Sequence, residues 1–307
     1  MDESPPQTPS AALLTRSSMA ASRVNGLESV YSCGWDVVHA CNYRCPYCFF
    51  LPSWAVDQAA MDQRHLSCSL EDWVGFWERC FEQLGSFRIE IAGGEPFCHP
   101  EIVPLVREIS RRHTIRLVTN LSVDVGDILS AFDPARVCFS VSFHPTHSQL
   151  EETIAKLCRL RQAGFETVVS IVAYPLYFPS LEGLLAAFTR EDLRCFLNPF
   201  QGSFQGREYP RSYAAEEAIF LRQNTIPDAL EIRMREGAPL GRLCSAGSRY
   251  FRIWPDGTIH RCCAATELGL TPLGHIRDQV IPVSLEFAAC PADRCFAPNE
   301  VACLIER

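Results

Sequence analysis

The chain has 307 residues, enough for one large domain or two smaller ones, and 47% of them are apolar, ample for a conventional core. Its formal charge is −8 and no basic run appears along it, which excludes the electrostatic footprint of a nucleic-acid binder. No apolar stretch approaches the roughly 18 residues of a membrane span, and Asp2 and Glu3 stand where a secretory signal carries basic residues, so a soluble, cytoplasmic protein is expected.

Residues 1–27, with Pro5, Pro6, Pro9 and scattered Ser and Thr, read as a disordered leader. From Ser32 to Asn224, short β-rich runs alternate with helical periods. The strands are expected at Gly34–Val38, Phe87–Ala92, Ile115–Thr119, Val137–Ser142, Thr167–Ala173 and Cys195–Asn198. The helices are expected at Leu70–Leu84, Glu101–Arg112, Val125–Phe132, Ser148–Ala163, Leu181–Thr189 and Ala214–Arg222. Trp73, Phe76 and Trp77 give the first helix its apolar stripe. Such alternation implies an α/β fold with a parallel sheet and right-handed crossovers, and in a barrel of this kind the chemistry lies on the loops after the strands. After Leu243 the alternation breaks. Tyr250–Trp254 and Thr258–Cys262 read as a hairpin turning at Pro255-Asp256-Gly257. A boundary near Gly237-Ala238-Pro239 would divide a core of residues 28–237 from a small cysteine-rich β-hairpin and helix domain of residues 238–307.

Sixteen cysteines are many for a reducing compartment, where thiols serve as metal ligands or core residues more often than as disulfides. Cys41-Asn42-Tyr43-Arg44-Cys45-Pro46-Tyr47-Cys48 falls in the loop after the first strand. Three thiolates at this spacing can hold three irons of a cubane cluster and leave the fourth iron without a protein ligand. A zinc knuckle is the alternative, but it wants a fourth ligand nearby and His39 alone is close. A disulfide framework belongs to small secreted chains.

The octet, with the aromatic Tyr47 before its last cysteine, resembles the cluster motif of the radical S-adenosylmethionine (SAM) superfamily. The order of elements is similar to that family's partial (β/α)6 TIM-like barrel. The resemblance implies a [4Fe-4S] cluster on Cys41, Cys45 and Cys48 whose open iron chelates the methionine moiety of SAM. It also implies reductive cleavage to a 5′-deoxyadenosyl radical, fed by a reductant protein such as flavodoxin or ferredoxin. Gly93-Gly94-Glu95-Pro96, at the end of the second strand, resembles the family motif that binds the SAM amino group. Paired glycines there let backbone approach a ligand closely. On the same resemblance Tyr47 flanks the cofactor, and Asn120 and Ser142 are candidates for its ribose and carboxylate, or else plain strand-end caps. Val172, with Ile171 and Pro199, would pack the adenine or belong to the core. His144 is either a substrate ligand or acid–base group, or makes a local structural bond; Cys98 either donates a hydrogen atom or packs.

Cys244, twelve residues, Gly257, four residues and Cys262 resemble the opening half of the auxiliary-cluster domains called SPASM and twitch. Cys290, Cys295 and Cys303 follow at x4 and x7 spacings that depart from the full SPASM pattern. One auxiliary [4Fe-4S] cluster on Cys244, Cys262, Cys290 and Cys295 is the implied arrangement, with Cys263 or Cys303 as replacements and structural zinc as the alternative. Cys68, Cys80, Cys138 and Cys158 read as small buried residues. The expected reaction is hydrogen abstraction from a small polar metabolite, ending in dehydrogenation or epimerisation. Peptide modification is the rival, although the short segment before Ser32 leaves no room for a leader-recognition domain. A non-catalytic iron–sulfur or zinc protein is the third possibility.

Overall fold

The computed structural model describes residues 31–48, 67–225, 239–295, 300 and 302–304. The expected leader and residues 237–238 of the expected boundary lie outside them. Six parallel strands, β1 (Tyr31–Val38), β2 (Phe87–Gly93), β3 (Thr114–Thr119), β4 (Val137–Phe143), β5 (Thr167–Ala173) and β6 (Cys195–Pro199), neighbour one another in chain order. Helices α1 (Leu70–Leu84), α2 (Ile102–Ile109), α3 (Val125–Ala131), α4 (Leu150–Gln162) and α5 (Phe178–Arg190) connect successive strands from β1·β2 to β5·β6, and α6 (Ala215–Asn224) follows β6. This is the α/β partial barrel that the alternation implies.

Each strand divides its residues between two faces. Ile89, Ile91, Ile115, Leu117, Phe139, Val141, Val169 and Ile171 are buried on one face, in one core with the apolar residues of the helices. Glu90, Arg116, Ser140, Ser142, Val172 and Asn198 occupy the other, half-buried face, the inside of the barrel. Helix α1 starts where a capping box forms, with Ser69 and Asp72 exchanging hydrogen bonds, and it buries Trp73, Phe76, Trp77 and Cys80. Trp73 and Trp77 pack on Trp35 of β1, at ring-centroid distances of 4.5 and 5.7 Å.

Two helices depart furthest from expectation, by three residues at one end, for local reasons. α5 begins at Phe178, not Leu181, because Pro179 is tolerated in a first turn, and a short 3-10 turn over Pro175–Tyr177 leads into it. α2 stops at Ile109, where the expected span ran to Arg112; the Ser110 hydroxyl turns back to the Arg107 carbonyl at 3.2 Å.

The C-terminal part departs further. After a short hairpin, β7 (Gly202–Phe204) and β8 (Arg207–Tyr209), come β9 (Leu243–Cys244), β10 (Tyr250–Ile253), β11 (Thr258–His260), α7 (Cys263–Glu267), β12 (Gly274–His275) and β13 (Ala288–Ala289). The expected hairpin is present as β10 and β11. Its first strand also pairs in parallel with β1, Ser32 opposite Tyr250 and Trp35 opposite Ile253. One nine-stranded sheet therefore runs β12-β11-β10-β1-β2-β3-β4-β5-β6, and the hairpin continues the barrel sheet. All four β10 residues are buried, as expected of a strand covered on both faces. No helix among the described residues is long and apolar enough to cross a membrane.

Candidate active site

The loop that follows β1 carries Cys41, Cys45 and Cys48, and the end of β2 is stitched to its root. The Gly94 N–H donates to the Val38 carbonyl (2.8 Å) and the Glu95 N–H to the Ala40 carbonyl (2.9 Å). A Cβ on Gly94 would stand 2.2 Å from the Ala40 oxygen and 2.4 Å from the His39 oxygen; one on Gly93, whose φ is +115°, would stand 2.1 Å from the Val38 oxygen. The paired glycines are thus required by the backbone of the cysteine loop itself, where the sequence reading assigned the close approach to a ligand.

Glu95 is 1% exposed, and both carboxylate oxygens are taken up inside the protein. They accept from the Thr119 hydroxyl (2.7 Å) and from the backbone N–H groups of Asn120 (2.6 Å) and Phe97 (3.1 Å). Burial raises its pKa and these three donors oppose the rise. Glu95 is a strut between β2 and β3. Asn120 continues it: its amide donates to the Asn42 side chain at 2.9 Å, Asn42 donates to the Ser122 hydroxyl at 2.9 Å, and Ser122 N–H returns to the Asn120 oxygen at 3.0 Å. The cysteine loop is therefore tied to the ends of β2 and β3. Glu95→Ala leaves two buried donors and one part-buried donor unsatisfied, and urea unfolding of the variant is expected to show a loss of about 3 kcal/mol; a midpoint equal to the parent's would remove the strut.

Within the loop, Tyr43 N–H donates to Cys41 Sγ (3.3 Å), Cys48 N–H to the Cys45 carbonyl (3.1 Å), and the Arg44 guanidinium to the carbonyls of Cys41 and Tyr43. Burial pushes the Cys41 thiol up to about 12, with Glu95, Cys48 and Cys98 nearby adding to the rise. Burial likewise pushes Cys45 up to about 11, helped by Cys48. Crowded thiols of this kind lose their protons when a metal supplies the compensating charge. Cys98, at the end of the 3-10 turn Pro96–Cys98, donates its N–H back to the Glu95 carbonyl at 2.9 Å.

Tyr47 and His144 lean on each other, hydroxyl to Nδ1 at 3.0 Å, with centroids 5.9 Å apart. Burial, then the neighbouring His147, lowers His144 to about 4, so it is neutral at physiological pH. Of the two roles open to His144, this geometry supplies the structural bond. Tyr43 stacks on His147 at 4.7 Å, while the Tyr174 and Tyr177 rings lie 5.2 and 5.6 Å from Tyr47, forming an aromatic cluster around it. Ser142 is on the inner face in register with Ser170, and Val172 is in register with Asn198. Ile171 points the other way, fully buried in the core, so it is not a wall of the inner site; Pro199 is buried as well.

The second cysteine set also converges. β13 pairs with β9, placing Ala288 opposite Cys244; Cys290 N–H donates to the Arg242 carbonyl (2.8 Å), and Ser245 N–H donates to the Cys303 carbonyl (2.9 Å). Cys244, Cys262 and Cys303 share one small buried cluster with Ala246, Tyr250 and Ala292, and Cys290 packs against it. Burial raises Cys262 to about 12, with Glu300, Cys244 and Cys290 adding to it. Cys295 is raised by burial, then by Glu300, Cys262, Cys290 and Cys244; Cys303 is raised by burial, then by Cys244, Glu300 and Cys262. Cys244, Cys262, Cys290 and Cys303 therefore meet here, and Cys295 is acted on by three of them. Cys263 is set apart, acted on by Arg252, Glu300 and Asp36 in place of the other thiols. Among the described residues no group of three or more His, Cys, Asp or Glu is gathered as ligands of one metal ion. Cluster ligands each cap a different iron and stand further apart than the ligands of one zinc.

Residues 35–174, from β1 to just past β5, match the Radical SAM superfamily model. The chain carries a radical SAM domain. A GTP 3',8-cyclase of Edwardsiella ictaluri (strain 93-146) is 36% identical over 99 residues, 30% of this chain and 28% of that protein. A GTP 3',8-cyclase of Picosynechococcus sp. (strain ATCC 27264 / PCC 7002 / PR-6) is 35% identical over 75 residues, 24% and 22% of the two chains. The matches thus span under a third of these curated relatives. The solved structure of anSMEcpe with bound AdoMet superposes with a TM-score of 0.54 at 16% identity, over 81% of this chain and 78% of that one, and shares the fold. A radical SAM domain implies a [4Fe-4S] cluster and SAM. The Cys41, Cys45 and Cys48 thiols, gathered on one braced loop, suit the cluster.

Sequence reasoning missed the bracing residues. Asn42 lies inside the octet and Thr119 directly before Asn120, but their partners are 78 and 24 residues away. Arg252 carried a usable signal: a lone cation in the apolar run Tyr250-Phe251-Arg252-Ile253 demands a buried counter-charge.

Proposed function

We propose that this radical SAM enzyme abstracts hydrogen from an unactivated C–H bond of a small polar metabolite. When bound at Cys41, Cys45 and Cys48, the cluster and SAM supply the 5′-deoxyadenosyl radical for that step, with the electron delivered by a flavodoxin- or ferredoxin-like reductant. The observation that carries the substrate class is the inner barrel face. Ser142, Ser170 and Asn198, on three adjacent strands, offer neutral hydrogen-bonding side chains to a polar molecule, and Ser140 lies one step below. Gly93, Gly94 and Pro96 would seat SAM through backbone, while Glu95 and Asn120 hold the loop that receives it.

The substrate radical has two outcomes open to it. Loss of one electron to an auxiliary cluster on Cys244, Cys262, Cys290 and Cys295, and of one proton, gives dehydrogenation. Return of a hydrogen atom from a thiol gives epimerisation, and the candidate thiol is Cys98, hydrogen-bonded to Glu95, whose own N–H is tied to Ala40 at the root of the cysteine loop. A second reading is ring closure within a nucleotide-like substrate, favoured by the match to relatives named GTP 3',8-cyclase.

Anaerobic turnover in deuterium oxide separates these outcomes. Dehydrogenation is expected to give a product with two hydrogens fewer than its substrate and no deuterium gain, and to release one 5′-deoxyadenosine per product. Solvent deuterium at the reacting carbon identifies a thiol donor. A product isomeric with its substrate and one ring richer identifies cyclisation. Absence of 5′-deoxyadenosine from reduced, cluster-loaded protein would refute the proposal as a whole.

A further inference from the structure

Glu300 is 2% exposed and lies where the barrel sheet meets the C-terminal cysteines. Its Oε1 accepts from the Tyr250 hydroxyl (3.1 Å) and the Cys263 backbone N–H (2.9 Å). Its Oε2 has no hydrogen-bond partner among the described residues. Arg252 pairs with it at 3.7 Å, longer than a hydrogen bond. That guanidinium is committed elsewhere, to the Asp36 carboxylate of β1 through three bonds of 2.7, 2.8 and 3.1 Å. One cation thus faces two buried anions, and Glu300 has the weaker share of it. Its charge falls on the cysteine pocket: it is the foremost charged neighbour acting on Cys262 and Cys295, and it acts on Cys290 and Cys303 too.

We propose that Glu300 is a fixed negative charge set against the auxiliary centre, lowering the reduction potential of the cluster held by the C-terminal cysteines. The proposal rests on the auxiliary-cluster reading above. A buried anion in a medium of low dielectric disfavours adding an electron to a neighbouring cluster, and cluster potentials follow local charge and hydrogen bonding. Tyr250, Cys263 and Arg252 position the carboxylate. Asp36 sets how much of the Arg252 charge reaches it. Hydrogen-bonded in this way, Glu300 also joins the segment that carries Cys303 to strand β10.

The test uses the full chain with Cys41→Ala, Cys45→Ala and Cys48→Ala, so that iron reports the auxiliary cluster alone. EPR-monitored potentiometry is compared with and without Glu300→Gln, which keeps the size and the acceptor oxygen but removes the charge. The expected result is a cluster at least tenfold more reduced at a fixed potential, a positive shift of about 59 mV for one electron. Glu300→Asp should return most of that shift. Asp36→Asn releases Arg252 toward Glu300 and should move the potential in the same positive direction, a second measurement should Glu300→Gln fail to fold. Iron retained with an unchanged potential in both variants overturns the proposal. Absence of iron from the triple-alanine parent overturns the auxiliary-cluster reading and the proposal with it.

Discussion

Gly94→Val is expected to strip the chain of its cluster as well as of SAM binding. The reason is local. Any Cβ at this position meets the Ala40 and His39 carbonyl oxygens at 2.2 and 2.4 Å, far inside van der Waals contact, and both are backbone atoms that no rotamer change can move. The β1 exit must therefore shift, and it carries Cys41 one residue on. Overpacking of this kind costs about 3 kcal/mol, more for a branched side chain. The two hydrogen bonds that stitch Gly94 and Glu95 to that exit go with it. Reconstituted variant protein should show iron content reduced by roughly the share of one cluster, a lowered thermal midpoint, and no SAM binding by equilibrium dialysis. A variant that keeps its full iron but loses SAM would mean that the glycine serves the ligand contact alone.

Replacing Cys41, Cys45 and Cys48 together by alanine is expected to abolish SAM cleavage while the fold persists. The three thiols sit on a loop held by Asn42, Glu95 and Asn120, and none of those bonds runs through sulfur. Circular dichroism and the urea midpoint should stay close to the parent's. Iron should fall from about eight to about four per chain, the remainder held by the C-terminal cysteines. Residual 5′-deoxyadenosine above background would mean that the cluster lies elsewhere. Zinc in place of the remaining iron would mean that the second cysteine set is a structural metal site.

Local signals were legible in the sequence and distant ones were not. Leu70–Leu84 was read to the residue, because Ser69 and Asp72 mark its start and Trp73, Phe76 and Trp77 mark its buried face. Thr167–Ala173 was equally clear, an apolar run between turn residues. The octet stands out because its three cysteines fall within one short loop of the sequence. The parallel pairing of Ser32 with Tyr250 left no such mark, since its partners are more than two hundred residues apart and parallel ladders have no turn to betray them. Glu95 is legible as part of its motif and its three donors are not, because spacing locates a carboxylate but does not show what surrounds it. Ile171 and Val172 were grouped by adjacency, although neighbours in a strand face opposite sides.

The place of β1 between β2 and β10 has a consequence for how the chain is made. The strand that carries the cysteine loop is synthesised well before β10, so one of its two hydrogen-bonding edges stays open until residues 250–253 have left the ribosome. Until then the nascent barrel presents an unpaired edge, with Asp36 still lacking Arg252. A fragment ending near residue 237 would keep that edge for good. Such a fragment should aggregate, and iron loading of the first site should depend on the arrival of the last part of the sheet.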